Sequence, residues 1–165
     1  MKQVYAPYEF DGVRLRLLAE DDLRATLAWR NRDGVRQQFK NPALLDWESH
    51  HAWFLRYSDK AEDLVFMVED ALTNTRVGQV AIYAIDNEKR TAEIGRFVAA
   101  PESQGKGFMR RGIGALMRFA ARELSLSSVY LEVLDTNVHA KRLYQTLGFV
   151  ETDSREGLAR MERTV

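Results

Sequence analysis

Residues 97–116, F-V-A-A-P-E-S-Q-G-K-G-F-M-R-R-G-I-G-A-L, constrain the fold of this 165-residue chain more than any other stretch. An apolar strand runs into a loop marked by Pro101, then a glycine-rich turn, then an amphipathic helix. Gly105 and Gly107 let backbone N–H groups approach a ligand without Cβ interference. The helix that follows aims its N-terminus, with unpaired N–H groups and the positive end of its dipole, at the same place. Lys106, Arg110 and Arg111 add positive charge. The combination suits a phosphorylated ligand, and a pyrophosphate best.

Spacing narrows the choice. A phosphate loop of the G-x-x-x-x-G-K-[ST] kind fails because Phe108 follows Gly107. A dinucleotide fingerprint G-x-G-x-x-G puts Arg110 at its third glycine if started at Gly105, and Met117 if started at Gly112. Neither nucleotide motif is present.

The remaining elements follow from periodicity. Alternation over 13–18 (V-R-L-R-L-L) predicts a first strand with Val13, Leu15 and Leu17 inward. The acidic run A-E-D-D opens a helix carrying Leu23, Leu27 and Arg30 on one face, with Trp29 beside them. A short helix is expected over 35–39 and a break at Asn41-Pro42. Asp46 then caps a helix to about Tyr57, on which Trp47, His50, Trp53, Phe54 and Tyr57 recur at helical steps. Strands are predicted over 64–69, 76–85 and 91–99, joined by short turns into an antiparallel meander. The helix 107–124 presents Ile113, Leu116, Met117, Ala120, Ala121 and Leu124 to the core. It serves as a crossover, so the strand 129–134 should lie parallel to the strand 91–99. A helix from Asn137 ends at Gly148, and a hairpin around Glu156-Gly157 closes the sheet.

Composition bounds the function. With 45% apolar and 29% charged residues and a formal net charge of zero, no global field draws the chain to nucleic acid or membrane. The absence of cysteine excludes disulfides and thiolate chemistry and fits a cytoplasmic protein. No apolar run reaches membrane-spanning length. His50 and His51 are adjacent and fall on different helix faces, so no metal site is expected.

The loop Gln104-x-x-Gly107-x-Met109 resembles the acyl-CoA loop Q/R-x-x-G-x-G/A of the GNAT acetyltransferases, with Met109 where Gly or Ala is usual. Residues 131–149, L-E-V-L-D-T-N-V-H-A-K-R-L-Y-Q-T-L-G-F, resemble the signature of that family ending in A-x-x-L-Y-x-x-x-G-F. The resemblance implies an α/β (α+β) single domain over 1–165. Its sheet would be mixed, mostly antiparallel, splayed in the middle and flanked by about four helices. It implies acetyl-CoA as cofactor, entering the splay. Pantetheine amides would pair with the backbone of Phe97, Val98 and Ala99, and the pyrophosphate would sit on the loop Gln104, Gly105, Lys106, Gly107, Phe108, Met109 and Arg110. Asn137 would contact the cofactor arm. Tyr144 would be the general acid for the leaving thiolate, where helical spacing with Leu143 and Leu147 alone would make it a core residue.

Acyl transfer to an amine also needs a base. Glu93, an acid in a core strand, is the candidate, against a solvated position or a partner for Arg76 or Arg96. The oxyanion would need only a backbone N–H near Val98. The acceptor falls to the N-terminal helices. Trp29, Arg30 and Asn31 (W-R-N) with His50 and Trp53 (H-x-x-W-F) resemble GNAT enzymes that acetylate a nucleotide-linked amino sugar, with Arg30 on a phosphate and Trp53 stacking. These residues can equally be core and surface. The run A-P-E-S-Q-G-K-G-F-M-R is also similar to the spermidine acetyltransferase loop, but a polyamine site needs an acidic cluster and Arg30 would repel the substrate, so the nucleotide-linked amino sugar is the expected acceptor. N-terminal acetyltransferases of ribosomal proteins share the layout. A non-catalytic acyl-CoA sensor is the reading from another class. The expected partner is a small-molecule amine, with no nucleic acid and no membrane; a homodimer is compatible with the sequence.

Overall fold

In the computed structural model, which describes residues 2–165, eight strands form one open sheet in the order β1-β2-β3-β4-β5-β6-β8-β7. They are β1 (Tyr8–Phe10), β2 (Val13–Leu17), β3 (Leu64–Asp70), β4 (Arg76–Asp86), β5 (Thr91–Ala99), β6 (Ser128–Leu134), β7 (Val150–Arg155) and β8 (Leu158–Thr164). The helices are α1 (Leu23–Arg30), α2 (Trp47–Tyr57), α3 (Phe108–Arg122) and α4 (Val138–Thr146). Every neighbouring pair is antiparallel except β5–β6, which is parallel because α3 carries the chain back across the sheet. No helix among the described residues is long and apolar enough to cross a membrane.

Strand β3 explains the layering. Leu64 to Val68 are all buried, and the pleat sends alternate residues to opposite faces. Leu64, Phe66 and Val68 join one core with Ile113, Leu116, Phe119 and Ala120 of α3. Val65 and Met67 join a second core with Leu23 and Tyr57, against which Trp29, Trp47, Trp53 and Tyr83 pack. The sheet is therefore covered on one face by α3 and α4 and on the other by α1 and α2.

β5 and β6 pair only from Thr91–Ser128 to Glu93–Tyr130, then part. Beyond Glu93, β5 carries one extra residue relative to β4, since Ala81 faces Gly95 but Gln79 faces Val98. Arg96 takes up the extra residue with φ +53°, and the Gln79 side-chain amide donates to its carbonyl at 2.9 Å. Such a bulge bends the strand that carries it. The bend and the splay fall at the same place.

Some elements differ from expectation. β1 was not foreseen; Asp11 and Gly12, at φ +52° and +78°, form a two-residue hairpin that folds it onto β2. The Asp-Gly pair is the sequence signal for that turn. The acidic run forms a 3-10 turn over Glu20–Asp22 before α1 begins. Asp22 does not serve the helix end. Burial opposes its charge, yet Arg16 (2.7 and 2.9 Å), the Ala19 N–H and Arg76 (3.2 Å) hold its carboxyl below the usual range. The short helix expected over 35–39 is a single 3-10 turn, Arg36–Gln38.

Candidate active site

The splay opens into a cleft of about 630 Å³ between β5, the start of α3, β6 and α4. Of the residues expected to hold a cofactor, Phe97, Ala99, Gln104, Gly105, Gly107, Phe108, Met109, Arg110, Asn137 and Tyr144 line it. Val98 and Lys106 do not: Val98 turns its side chain into the core and Lys106 stands exposed at the loop tip. Gly105 and Gly107 sit at φ +76° and +78°, and a Cβ on either would meet nothing within 4 Å. Glycine is needed there for backbone conformation and leaves an open cradle, with Gly107 as the residue before α3. Arg110 stays at the rim, 3.4 Å from the Thr146 carbonyl. Arg111 turns away, donating to Asp11 O at 3.2 Å and lying over the Phe108 ring. Met109 does not fill the cradle; its Sδ packs onto Gly78, where a Cβ would be only 2.5 Å away.

The open edge of β5 is partly used. Ala100 N–H bonds to Val77 O on β4, so the Ala99 carbonyl of the same peptide faces the splay. There Arg32 donates to it at 2.7 Å. The carbonyl expected to be free already has a donor, which leaves one lone pair for a ligand amide. An extended thiol arm on this edge, with a pyrophosphate on the glycine cradle and helix end, fits the donors present.

On α4, Asn137 is the N-cap, its Oδ1 accepting from Ala140 N–H at 3.2 Å. That bond leaves its amide N–H groups for the cleft. Tyr144 is packed between Phe97 and Phe149, with ring centroids at 5.9 and 6.1 Å. Its hydroxyl makes no hydrogen bond among the described residues and borders the cleft. Burial, and next the nearby Tyr83, push its pKa up, so it keeps its proton at neutral pH.

A second cavity of about 250 Å³ adjoins the first on the α1–α2 face and shares Gln38, Phe39, Gly95, Arg96 and Glu132 with it. Glu93 lines this cavity. Its carboxylate has no ion pair among the described residues: Arg76 is bound to Asp22 and Arg96 to Asp63 at 2.7 Å. Burial, and then Glu132, raise its pKa, against the opposing pull of Lys40, Arg160 and Arg96. Glu132 is held by Lys40 at 3.1 Å.

The structure separates the residues expected to read an acceptor. Arg30 borders the second cavity, but its guanidinium donates to Asn41 O (2.9 Å) and Ala43 O (3.3 Å) and lies over Phe39. Asn31 exchanges two bonds with the Leu45 backbone, at 2.8 and 2.9 Å. Trp53 stacks between His50 and Tyr57, with centroids at 5.5 and 5.3 Å, and Trp29 packs on the same core. His50 is buried against Thr26, and burial followed by Arg30 lowers its pKa. Trp29, Asn31, His50 and Trp53 line neither cavity. Sequence reasoning missed Tyr83, Glu132 and Arg32. The signal for Tyr83 was Gly95, since a glycine inside a strand marks close approach by another group.

Comparison with known proteins agrees with this geometry. The GNAT acetyltransferase domain model matches residues 13–150. A spermidine N(1)-acetyltransferase of Vibrio cholerae is 35% identical over 138 residues, 83% of this chain and 78% of the relative. A spermine/spermidine N(1)-acetyltransferase of Bacillus subtilis is 34% identical over 67 residues, 41% of this chain and 44% of the relative. The crystal structure of the V. cholerae spermidine N-acetyltransferase in complex with CoA and spermine superposes with a TM-score of 0.83 at 28% identity, covering 94% of this chain and 96% of that one. The chain belongs to the GNAT acetyltransferases, and it moves an acetyl group from acetyl-CoA to an amine nitrogen.

Proposed function

We propose that the acceptor is a primary amine of a polyamine of the spermidine or spermine type. The observation that carries this is Glu93, a half-buried carboxylate without an ion-pair partner, in the cavity next to the cofactor cleft. Glu132 on the adjoining strand adds a second carboxylate, paired with Lys40 in the same lining, so Glu93 is the one left for an ammonium. An alkylammonium supplies the charge that Glu93 lacks, and the relatives from V. cholerae and B. subtilis act on such amines. The nucleotide amino-sugar acceptor expected from the sequence gives way to this reading, because Arg30 spends its fork on two backbone carbonyls, Trp53 is stacked away from the cavity, and the relatives act on polyamines.

Acetyl-CoA supplies a thioester carbonyl open to attack by a neutral amine, with the coenzyme thiol as leaving group. The chain's own residues divide the remaining work. Glu93 accepts the proton that the ammonium must lose, and burial followed by Glu132 raises its pKa, which makes it a stronger base than an exposed glutamate. Tyr144 holds a proton at Oη on the cleft wall, ready for the departing sulfur. Gly105, Gly107 and the start of α3 seat the phosphates, and Asn137 faces the arm. Self-association belongs to the same proposal, since the V. cholerae enzyme has a dodecameric structure; a homodimer is its smallest form.

A panel of acceptors with thiol detection tests the substrate class. Spermidine and spermine are expected to release coenzyme A faster than a nucleotide-linked amino sugar or a peptide N-terminus. A panel in which the sugar outcompetes spermidine contradicts the reading.

A further inference from the structure

Glu93 lines only the acceptor cavity, whereas Tyr144 lines only the cofactor cleft. The two cavities share a wall of Gln38, Phe39, Gly95, Arg96 and Glu132, in which Gly95 lies two residues after Glu93 on β5. Over Gly95 stands the hydroxyl of Tyr83: a Cβ built on Gly95 would collide with Tyr83 Oη, and the next ring atom, Cζ, lies 3.4 Å from it. Tyr83 faces Glu93 across the β4–β5 ladder, so both side chains leave the sheet on one face. The ring is held in place by the Arg96 guanidinium, 4.2 Å above its centroid, and Arg96 is itself anchored by Asp63. Tyr83 and Glu93 line the acceptor cavity together. A glycine, a cation and an aspartate thus fix one phenol at the neck between base and cleft.

We propose that Tyr83 relays the acceptor's proton to Glu93. One N–H bond of the acceptor ammonium breaks as its proton passes to Tyr83 Oη, while the Oη–H proton passes to a Glu93 carboxylate oxygen. The nitrogen keeps the electron pair, Tyr83 ends with a proton as it began, and Glu93 ends neutral. Burial, and next Glu93, raise the Tyr83 pKa, so the phenol passes a proton on without being stored as phenolate. This inference rests on Glu93 as the base in the transfer proposed above, but not on which amine is accepted.

The test is kcat/KM against pH for the wild type, Tyr83→Phe, Glu93→Gln and the double variant, using whichever amine turns over fastest. Each single change is expected to cost roughly 10²-fold, the range for a positioned proton-transfer group. The double variant should lose no more than either single one, because both act in one step. The groups around this carboxylate are Tyr83 on β4, Arg96 on β5, Tyr130 and Glu132 on β6, Arg160 on β8, Lys40 from the segment after α1 and Arg30 on α1 across the cavity. In the wild type the acid limb should lie above the ordinary glutamate range and should vanish in Tyr83→Phe. A structural role is separated by Gly95→Ala. Its Cβ should lower Tm, and adding Tyr83→Phe should restore Tm without restoring turnover.

Turnover within about threefold of wild type in Tyr83→Phe, or losses that multiply in the double variant, would overturn the relay. If Glu93→Gln is slow and Tyr83→Phe is not, the base reading stands and the relay falls. If Glu93→Gln is normal, both fall, as they do if no amine is turned over.

Discussion

Tyr144→Phe is expected to give a folded protein that still takes up acetyl-CoA but turns over roughly 10²-fold or more slowly, the loss typical of a positioned general acid. The substitution removes one hydroxyl and almost no volume. The ring keeps its packing against Phe97 and Phe149, so stability should hardly change. The hydroxyl it removes has no protein partner to be orphaned. Because burial raises the Tyr144 pKa, the donor stays protonated across the neutral range, and its limb should lie on the alkaline side, above the ordinary tyrosine value. Near-normal turnover in a variant whose chemistry limits the rate would return Tyr144 to a packing role.

Acetyl-CoA or coenzyme A at about 100 times its Kd should stabilise the wild type by about 2.7 kcal/mol, which for a chain of this size is roughly 5–11 °C in Tm. Gly107→Val is expected to abolish that shift. Valine at φ +78° is strained, and its side chain would fill the open space over the cradle. Strain alone is controlled by Gly157→Val, at φ +80° in the far β7–β8 hairpin, again with nothing within 4 Å. That variant should melt lower yet keep the cofactor shift. A full shift in Gly107→Val would mean that the cofactor lies elsewhere.

Much of this architecture was legible because local signals agreed with one another. The apolar stripe of α3, the Asp46 cap, whose side chain accepts from Ser49 N–H at 2.7 Å, and the Gly105–Gly107 turn each report a local requirement. The parallel pairing of β6 followed from the length of the crossover. What was not legible depended on partners far away in the chain. The W-R-N and H-x-x-W-F residues have types suited to a ligand, and only the fold reveals that Asn31 ties down Leu45 and that Trp53 completes a stack. Two carboxylates from different strands, Glu93 on β5 and Glu132 on β6, line one cavity where those strands part. Arg30, a cation expected to repel a polyamine, does border the cavity; the Asn41 and Ala43 carbonyls fix its guanidinium in place without removing its charge.

The central claim is that the acetyl group passes directly to a polyamine nitrogen at the junction of the two cavities. A single-turnover experiment with acetyl-labelled acetyl-CoA, excess enzyme and spermidine, quenched over time, tests it most directly. The label should leave the cofactor and appear on spermidine in one phase, with none on the protein at any time. Label accumulating on the protein, or spermidine staying unlabelled while a nucleotide-linked amino sugar takes the acetyl group, would contradict it.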